Sequence, residues 1–322
     1  MAESIRTTDY HTAGEPFRIV VDGVPPLPGR TILDKRRWAA EHLDHVRRLL
    51  VNEPRGHADM YGCFVVDPER GGDLGVVFFH NEGYSTACGH GTIALVTWAL
   101  ESGRLSVTPQ VNGEVVVVVV VDAPSGRLRT WAQVVDGDVT SVRFRNVPSF
   151  VLRSGVAVEG VKVDIAFGGA FYAIAPAAVP IDREHLPDLI ERGRRIKDSL
   201  NRAGGVVHPL EAELHDVYGV IWTHGHRNVT VFADGQVDRS PCGSGTSARL
   251  ALLDASGELV RGETLRHRSI VGTEFAGRVV EGAEVAGIPA VITEVQGSAH
   301  LTGRHEFVLE PGDPLGTGFL LR

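Results

Sequence analysis

A chain of 322 residues with 43% hydrophobic content can bury a large core and suits two domains better than one. Its net charge of −8, with Lys and Arg scattered, leaves no footprint for nucleic acid or an anionic membrane, and its three cysteines, none in a C-x-x-C pair, exclude a disulfide framework and a cysteine-rich zinc site. The polar beginning with Glu3, Arg6 and Asp9 fits neither a signal nor a transit peptide, and the apolar run over 115–121 is too short to span a bilayer, so a cytoplasmic protein is expected.

In chain order, residues 5–21 are β-rich, with Asp9-Tyr10-His11-Thr12-Ala13-Gly14-Glu15-Pro16 expected as a loop between two strands. Residues 32–50, with Trp38, Leu43, Val46 and Leu50 among charges, predict one amphipathic helix. A loop over 53–62 leads into a strand over 63–66, and a further strand over 74–79 precedes a stretch of helix formers over 93–100. Residues 105–121 end in seven valines and predict a buried strand. The Pro- and Gly-bearing stretch 122–126 is where the domain boundary is expected, giving domains over 1–124 and 125–322. The second half repeats the style, with strands over 128–135, 140–145 and 161–166, a helix over 181–202, strands over 217–223 and 228–233, and a tail of short strands. This alternation is not a regular βαβ series, so two α/β halves related by internal duplication describe it better than a doubly wound sheet.

The duplication is sharpest at two cysteines. Cys88-Gly89-His90-Gly91-Thr92-Ile93-Ala94 and Cys242-Gly243-Ser244-Gly245-Thr246-Ser247-Ala248 share the pattern C-G-x-G-T-x-A and lie 154 positions apart, close to half the chain. Each follows a hydrophobic run and opens a run of helix formers, so each is expected to be a turn into a helix N-terminus. Glycines let backbone N–H groups converge there and the helix dipole adds positive potential, a setting that holds a carboxylate and lowers a thiol's pKa. Two such ends facing each other would set two sulfurs about one small anionic ligand, a pairing suited to proton transfer in opposite directions. His90 and Asp238, close in sequence to the two turns, are candidates to hold an ammonium or imino group.

Blander readings compete. Buried cysteine is usually inert packing, and Cys63 is read that way. Both turns also satisfy G-x-G-x-x-G/A, but Glu114 precedes the valine strand instead of ending it, against a dinucleotide site. His224-Gly225-His226 lacks a third ligand at a suitable spacing for a metal, and no G-x-S-x-G elbow supports a serine hydrolase. For Asp238 the alternative is a helix cap or turn residue.

Together with the loops Asp9-Tyr10-His11-Thr12-Ala13-Gly14-Glu15-Pro16 and Glu53-Pro54-Arg55-Gly56-His57, the Cys88-Gly89-His90-Gly91-Thr92 turn and the Asp238-Arg239-Ser240-Pro241-Cys242-Gly243-Ser244-Gly245-Thr246 block resemble the proline racemase family. The resemblance implies a diaminopimelate-epimerase-like α/β (α+β) fold of two pseudo-symmetric domains with the active site in the cleft between them, the last strands returning to the first domain. It implies no cofactor, a small proline-type substrate and a homodimer. Cys88 and Cys242 match the catalytic pair; the backbone of Gly89, His90, Gly243 and Ser244 matches a carboxylate cradle; Asp238 and His90 match contacts to the ring nitrogen, and Phe232 an aromatic wall.

Within the family two signals conflict. Cysteine at 242 favours racemisation or epimerisation of proline or hydroxyproline, since inverting a centre needs an acid on the far face. The segments Glu53-Pro54-Arg55-Gly56-His57-Ala58-Asp59-Met60-Tyr61-Gly62 and His80-Asn81-Glu82-Gly83-Tyr84-Ser85-Thr86 look more like the trans-3-hydroxy-L-proline dehydratases, for which one base, Cys88, suffices. A member that kept the fold but lost turnover is a third alternative, against which the intact cysteine pair argues.

Overall fold

The computed structural model describes residues 3–69, 71–106 and 114–321. By its contacts the chain divides into two compact units, one of residues 1–86, 90–142 and 298–322, the other of residues 87–89 and 143–297.

The first unit opens with β1 (Glu3–Thr12) and β2 (Glu15–Asp22), an antiparallel hairpin whose tight turn sets Ala13 and Gly14 at φ 52° and 95°. The polar stretch expected as a loop therefore lies almost wholly within the strands. The buried Asp9 is paired: it accepts from the Arg18 guanidinium at 2.7 Å, and Arg18 also lies 4.2 Å from the centre of the Phe307 ring. The single helix expected over 32–50 is two, α1 (Ile32–His42), with a capping box at Thr31 and Asp34, and α2 (Asp44–Val51), separated at Leu43. The break redirects the second segment so that Val46, Leu49 and Leu50 join the core cluster of Ile5, Val20, Phe64 and Phe79.

β3 (Tyr61–Val66) runs parallel to β2 and antiparallel to β4 (Leu74–His80). α3 (Gly89–Glu101) is buried from Gly89 to Leu100, all round, as an apolar helix without a polar face must be. The valine run lies in β5 (Glu114–Ala123), parallel to β4 and hairpinned to β6 (Gly126–Val135). Residues 107–113 of the strand expected over 105–121 lie outside the described residues. The rest is only half buried: Val119 and Val121 face the core, whereas Val116 and Val118 are 58% and 43% exposed, the two faces that the period of two dictates. The stretch 122–126 is a hairpin turn, and the change of unit falls at 142/143, within β7 (Asp138–Arg145).

The second unit is a closed ring of strands. β8 (Ser149–Val158) pairs with β9 (Val161–Phe167), which pairs with β10 (Phe171–Pro176). α4 (Leu186–Ala203), with Pro187 in its first turn, and the small hairpin β11 (Val207–His208) and β12 (Glu211–His215) follow. β13 (Val217–His224) lies parallel to β10 and antiparallel to β14 (Arg227–Phe232), whose far end carries the short β15 (Gln236–Asp238). After α5 (Gly243–Ser256), β16 (Thr264–Arg268) touches β14, β17 (Glu274–Val285) pairs with β16, and β18 (Ile288–Gly297) pairs with both β17 and β8. The ring closes around α5, which packs on β8, β9, β10, β17 and β18. The tail strands are longer than expected, and the last, β19 (Ala299–Leu309), pairs with β1 in the first unit.

Enclosing a helix this tightly requires a gap in the ring wall. Gly168 supplies it, since a Cβ there would lie 2.2 Å from the Ser244 carbonyl oxygen and 2.7 Å from the Ala248 nitrogen. Gly168→Ala is expected to lower the unfolding free energy in urea by about 1–3 kcal/mol, the usual range for overpacking a filled core.

Candidate active site

The two cysteine turns are built alike. Gly89 is the first residue of α3 and Gly243 the first of α5, so each cysteine immediately precedes a helix, as the repeated pattern predicts. Residues 87–89 group with the second unit, and the reason is visible at the glycines. A Cβ on Gly89 would fall 2.5 Å from the Gly243 Cα, and one on Gly243 would fall 2.7 Å from the Gly89 Cα. Phe144 packs against both positions. Cys88 and Cys242 are 4% and 5% exposed, and both carry free thiols.

Cys242 takes a left-handed conformation, φ 63° and ψ 104°. Its N–H donates to Ser240 Oγ at 3.1 Å, and its carbonyl accepts from Thr246 N at 2.7 Å. The sulfur lies 3.7 Å from the Tyr172 hydroxyl and 4.0 Å from Ser244 Oγ, and those two hydroxyls are 2.7 Å apart. Gly245 is bare because a Cβ there would sit 2.9 Å from that sulfur.

The electrostatics differ from the expectation of a lowered pKa at Cys242. Burial pushes the thiol up to about 12 and the neighbouring Asp238 carboxylate adds to the rise, while the Tyr172 hydroxyl and the Gly245 N–H pull against it. In this closed, water-excluding setting desolvation outweighs the helix end, and Cys242 rests as a thiol. Asp238, on β15, accepts from Ser240 N at 2.8 Å, and burial raises it from 3.8 to about 6. The structure thus sets Asp238 beside Cys242. Ser244 supplies, besides its backbone, a hydroxyl to Tyr172. Phe232 stacks on Tyr218 at 5.5 Å, and Tyr218 meets Tyr172 edge-on at 5.8 Å, so an aromatic row runs from Phe232 to the Cys242 neighbourhood.

His90 belongs to the first unit. Its ring meets Phe17 and Tyr61 edge-on at 5.7 and 5.0 Å, and its carbonyl accepts from Thr12 Oγ1 at 2.9 Å. Burial depresses it to about 3, so its imidazole is neutral. Cys63 is fully buried in β3, with its thiol raised by desolvation alone. Among the described residues no group of three or more His, Cys, Asp or Glu is placed to hold a metal ion, and no helix is long and apolar enough to cross a membrane.

The repeated motif pointed to neither Tyr172 nor Ser240. Ser240 lies in the motif's own approach and was legible as a turn residue; Tyr172 comes from a distant strand and carried no signal beyond being a tyrosine in an apolar run.

Comparison with known proteins gives the family. The proline racemase family profile matches residues 7–320. The chain is a member of the proline racemase family. A trans-3-hydroxy-L-proline dehydratase of Bacillus cereus is 44% identical, the match covering 98% of this chain and 97% of that one. A 3-hydroxyproline 2-epimerase of Burkholderia multivorans is 45% identical over 100% of this chain and 99% of its own. The crystal structure of a hydroxyproline epimerase from Agrobacterium vitis with bound trans-4-hydroxy-L-proline superimposes with a TM-score of 0.91 at 31% identity, covering 99% of this chain and 96% of that one. The fold is the mixed α/β, diaminopimelate-epimerase-like one, and the family's enzymes are racemases, epimerases and dehydratases.

The raised Asp238 carboxyl has a stability consequence. Below pH 3.8 the folded and unfolded chains both hold its proton; between 3.8 and about 6 only the unfolded chain releases it, so folding loses stability as pH rises through that window. Asp238→Asn, which never ionises, is expected to stabilise the ligand-free protein by about 2–3 kcal/mol above pH 7 and by almost nothing at pH 3.5, checked by urea unfolding at both values.

Proposed function

We propose that the chain is a cofactor-independent racemase or epimerase that inverts the α-carbon of proline or a hydroxyproline, with Cys88 and Cys242 as its two acid–base groups. The observation that carries this reading is the meeting of the two cysteine-bearing helix starts through Gly89 and Gly243, where no side chain intervenes.

In this reading one sulfur, as thiolate, removes the α-proton while the other, as thiol, delivers a proton to the opposite face. The α-carbon is a weak acid, so charge developing into the carboxylate must be stabilised as it forms. The N–H groups of Gly89, His90, Gly243 and Ser244 are assigned that task, because fixed donors at helix starts need no reorganisation during the reaction. Asp238 takes the ring nitrogen, whose positive charge offsets the carboxylate's burial; the neutral His90 adds a polar contact without a competing charge. Phe232 bounds the apolar side of the ring. Holding acid, base and substrate in one geometry supplies the proximity term.

The dehydratase name of the Bacillus cereus relative, at 44% identity, favours a second reading, elimination of water from trans-3-hydroxy-L-proline with Cys88 as the base. The two are separated in D₂O with L-proline, trans-4-hydroxy-L-proline and trans-3-hydroxy-L-proline as separate substrates, following the α-proton by NMR and the products by chiral chromatography. Inversion is expected, and both Cys88→Ser and Cys242→Ser are expected to lower it by about a thousandfold. Inversion surviving in either variant would remove the two-thiol mechanism. Loss of the 3-hydroxyl that survives Cys242→Ser but not Cys88→Ser would establish the dehydratase.

A further inference from the structure

Cys242 is a non-glycine residue in a left-handed conformation at the start of a helix, and such a residue persists only where its surroundings hold it. The peptide group before it is held through the Pro241 carbonyl oxygen, which accepts from Asn228 Nδ2 at 2.9 Å and from Thr246 Oγ1 at 3.3 Å. Thr246 Oγ1 is in turn 2.9 Å from Nδ1 of His267, whose Nε2 is 2.8 Å from Nη1 of Arg249. Arg249 also donates through Nη2 to the Gly225 carbonyl oxygen at 2.6 Å. His267 is on β16, 0% exposed, and Thr246 and Arg249 are one turn apart on α5.

The polarity of this chain is fixed at one end. A guanidinium only donates, so Nε2 of His267 accepts and its one ring proton is on Nδ1. Nδ1–H then donates to Thr246, whose own hydroxyl proton is left to point at the Pro241 carbonyl. Every link runs in one direction, from Arg249 to the peptide bond before Cys242. Replacing any link by an apolar group strands a buried partner.

We infer that His267 is a positioning residue for Cys242: through Thr246 it fixes the Pro241 carbonyl and so holds the strained turn that aims the sulfur at Tyr172 and Ser244. Nothing in the repeated motif distinguishes the second cysteine turn in this way, because its threonine is common to both copies and the histidine comes from a strand beyond the helix. The kinetic part of the inference rests on the reading of Cys242 as an acid–base thiol; the structural part does not.

The test uses the reduced full-length protein and three variants. His267→Leu removes the relay, Thr246→Val breaks it while leaving His267 and Arg249 in place, and His267→Asn keeps a donor near the Nδ1 position. Each is treated with iodoacetamide, and alkylation of Cys242, Cys88 and Cys63 is read separately by peptide mass spectrometry. Released from its strained turn, the buried Cys242 is expected to react about tenfold faster relative to Cys88 and Cys63 in the Leu and Val variants, and kcat to fall with KM nearly unchanged, since displacement of a reacting group by about an ångström carries effects of this size or larger. His267→Asn is expected to restore most of the native ratio. A Cys242 ratio within twofold of native in the variants that fold, or a parallel rise at all three cysteines, overturns the inference. If His267→Leu does not fold, Thr246→Val decides. Native protein that turns over no proline derivative would defeat the proposed function, while the alkylation ratios would still decide the role of His267.

Discussion

No side chain fits between Gly89 and Gly243, and much of the candidate site depends on that contact. Two helix starts carry partial positive charge and do not attract one another; they approach because bare glycine backbones permit it and because Phe144 and the strand ring around α5 fill the space about them. The same contact brings residues 87–89 into the unit that holds Cys242. A methyl group at either glycine would lie within 2.7 Å of the other's Cα, so the turns would have to move apart. The glycines of C-G-x-G-T-x-A thus do two jobs: the first allows the contact, and at the second turn Gly245 makes room for the sulfur.

How much of this was legible depended on whether the signal was local. The repeated motif is local, and from it the sequence placed both cysteines at helix starts, which the structure bears out. Burial of α3 all round could be anticipated from the run Ile93-Ala94-Leu95-Val96, which offers no polar stripe. The hairpin at Ala13 and Gly14 was misread because Asp9 and His11 look like loop residues. The Arg18 guanidinium directly across the hairpin, with the Thr7 hydroxyl beside it, shows why a strand can carry Asp9 at all. Likewise, seven valines say "strand" but not that the face bearing Val116 and Val118 is exposed. Tyr172 and His267 were invisible for the same reason: each reaches the Cys242 turn from a strand whose partner in the ring is set by tertiary pairing.

The thiol pKa is the most instructive difference. A helix start lowers a thiol's pKa when the sulfur is also wet or faces a cation. Cys242 faces neither. It is buried, and its charged neighbour is Asp238, so both desolvation and Coulomb repulsion favour the neutral form. The Gly245 N–H and the Tyr172 hydroxyl oppose this without reversing it.

That arrangement is less a defect than a condition on when the proposed chemistry runs. Asp238 and Cys242 are two buried acids side by side, so ionising one discourages the other, and they titrate as a coupled pair. A substrate that brings a ring ammonium to Asp238 cancels the carboxylate's charge and removes the Coulomb part of the penalty on the thiolate. In the proposed reading the same substrate brings its carboxylate to the N–H groups of the two helix starts, a negative charge that again disfavours the thiolate. The two effects oppose each other. In the proposed reading Cys242 therefore keeps its proton until a carbanion forms beside it. This is the property that proton delivery to the far face of an α-carbon requires, and an exposed, strongly acidic cysteine would lack it.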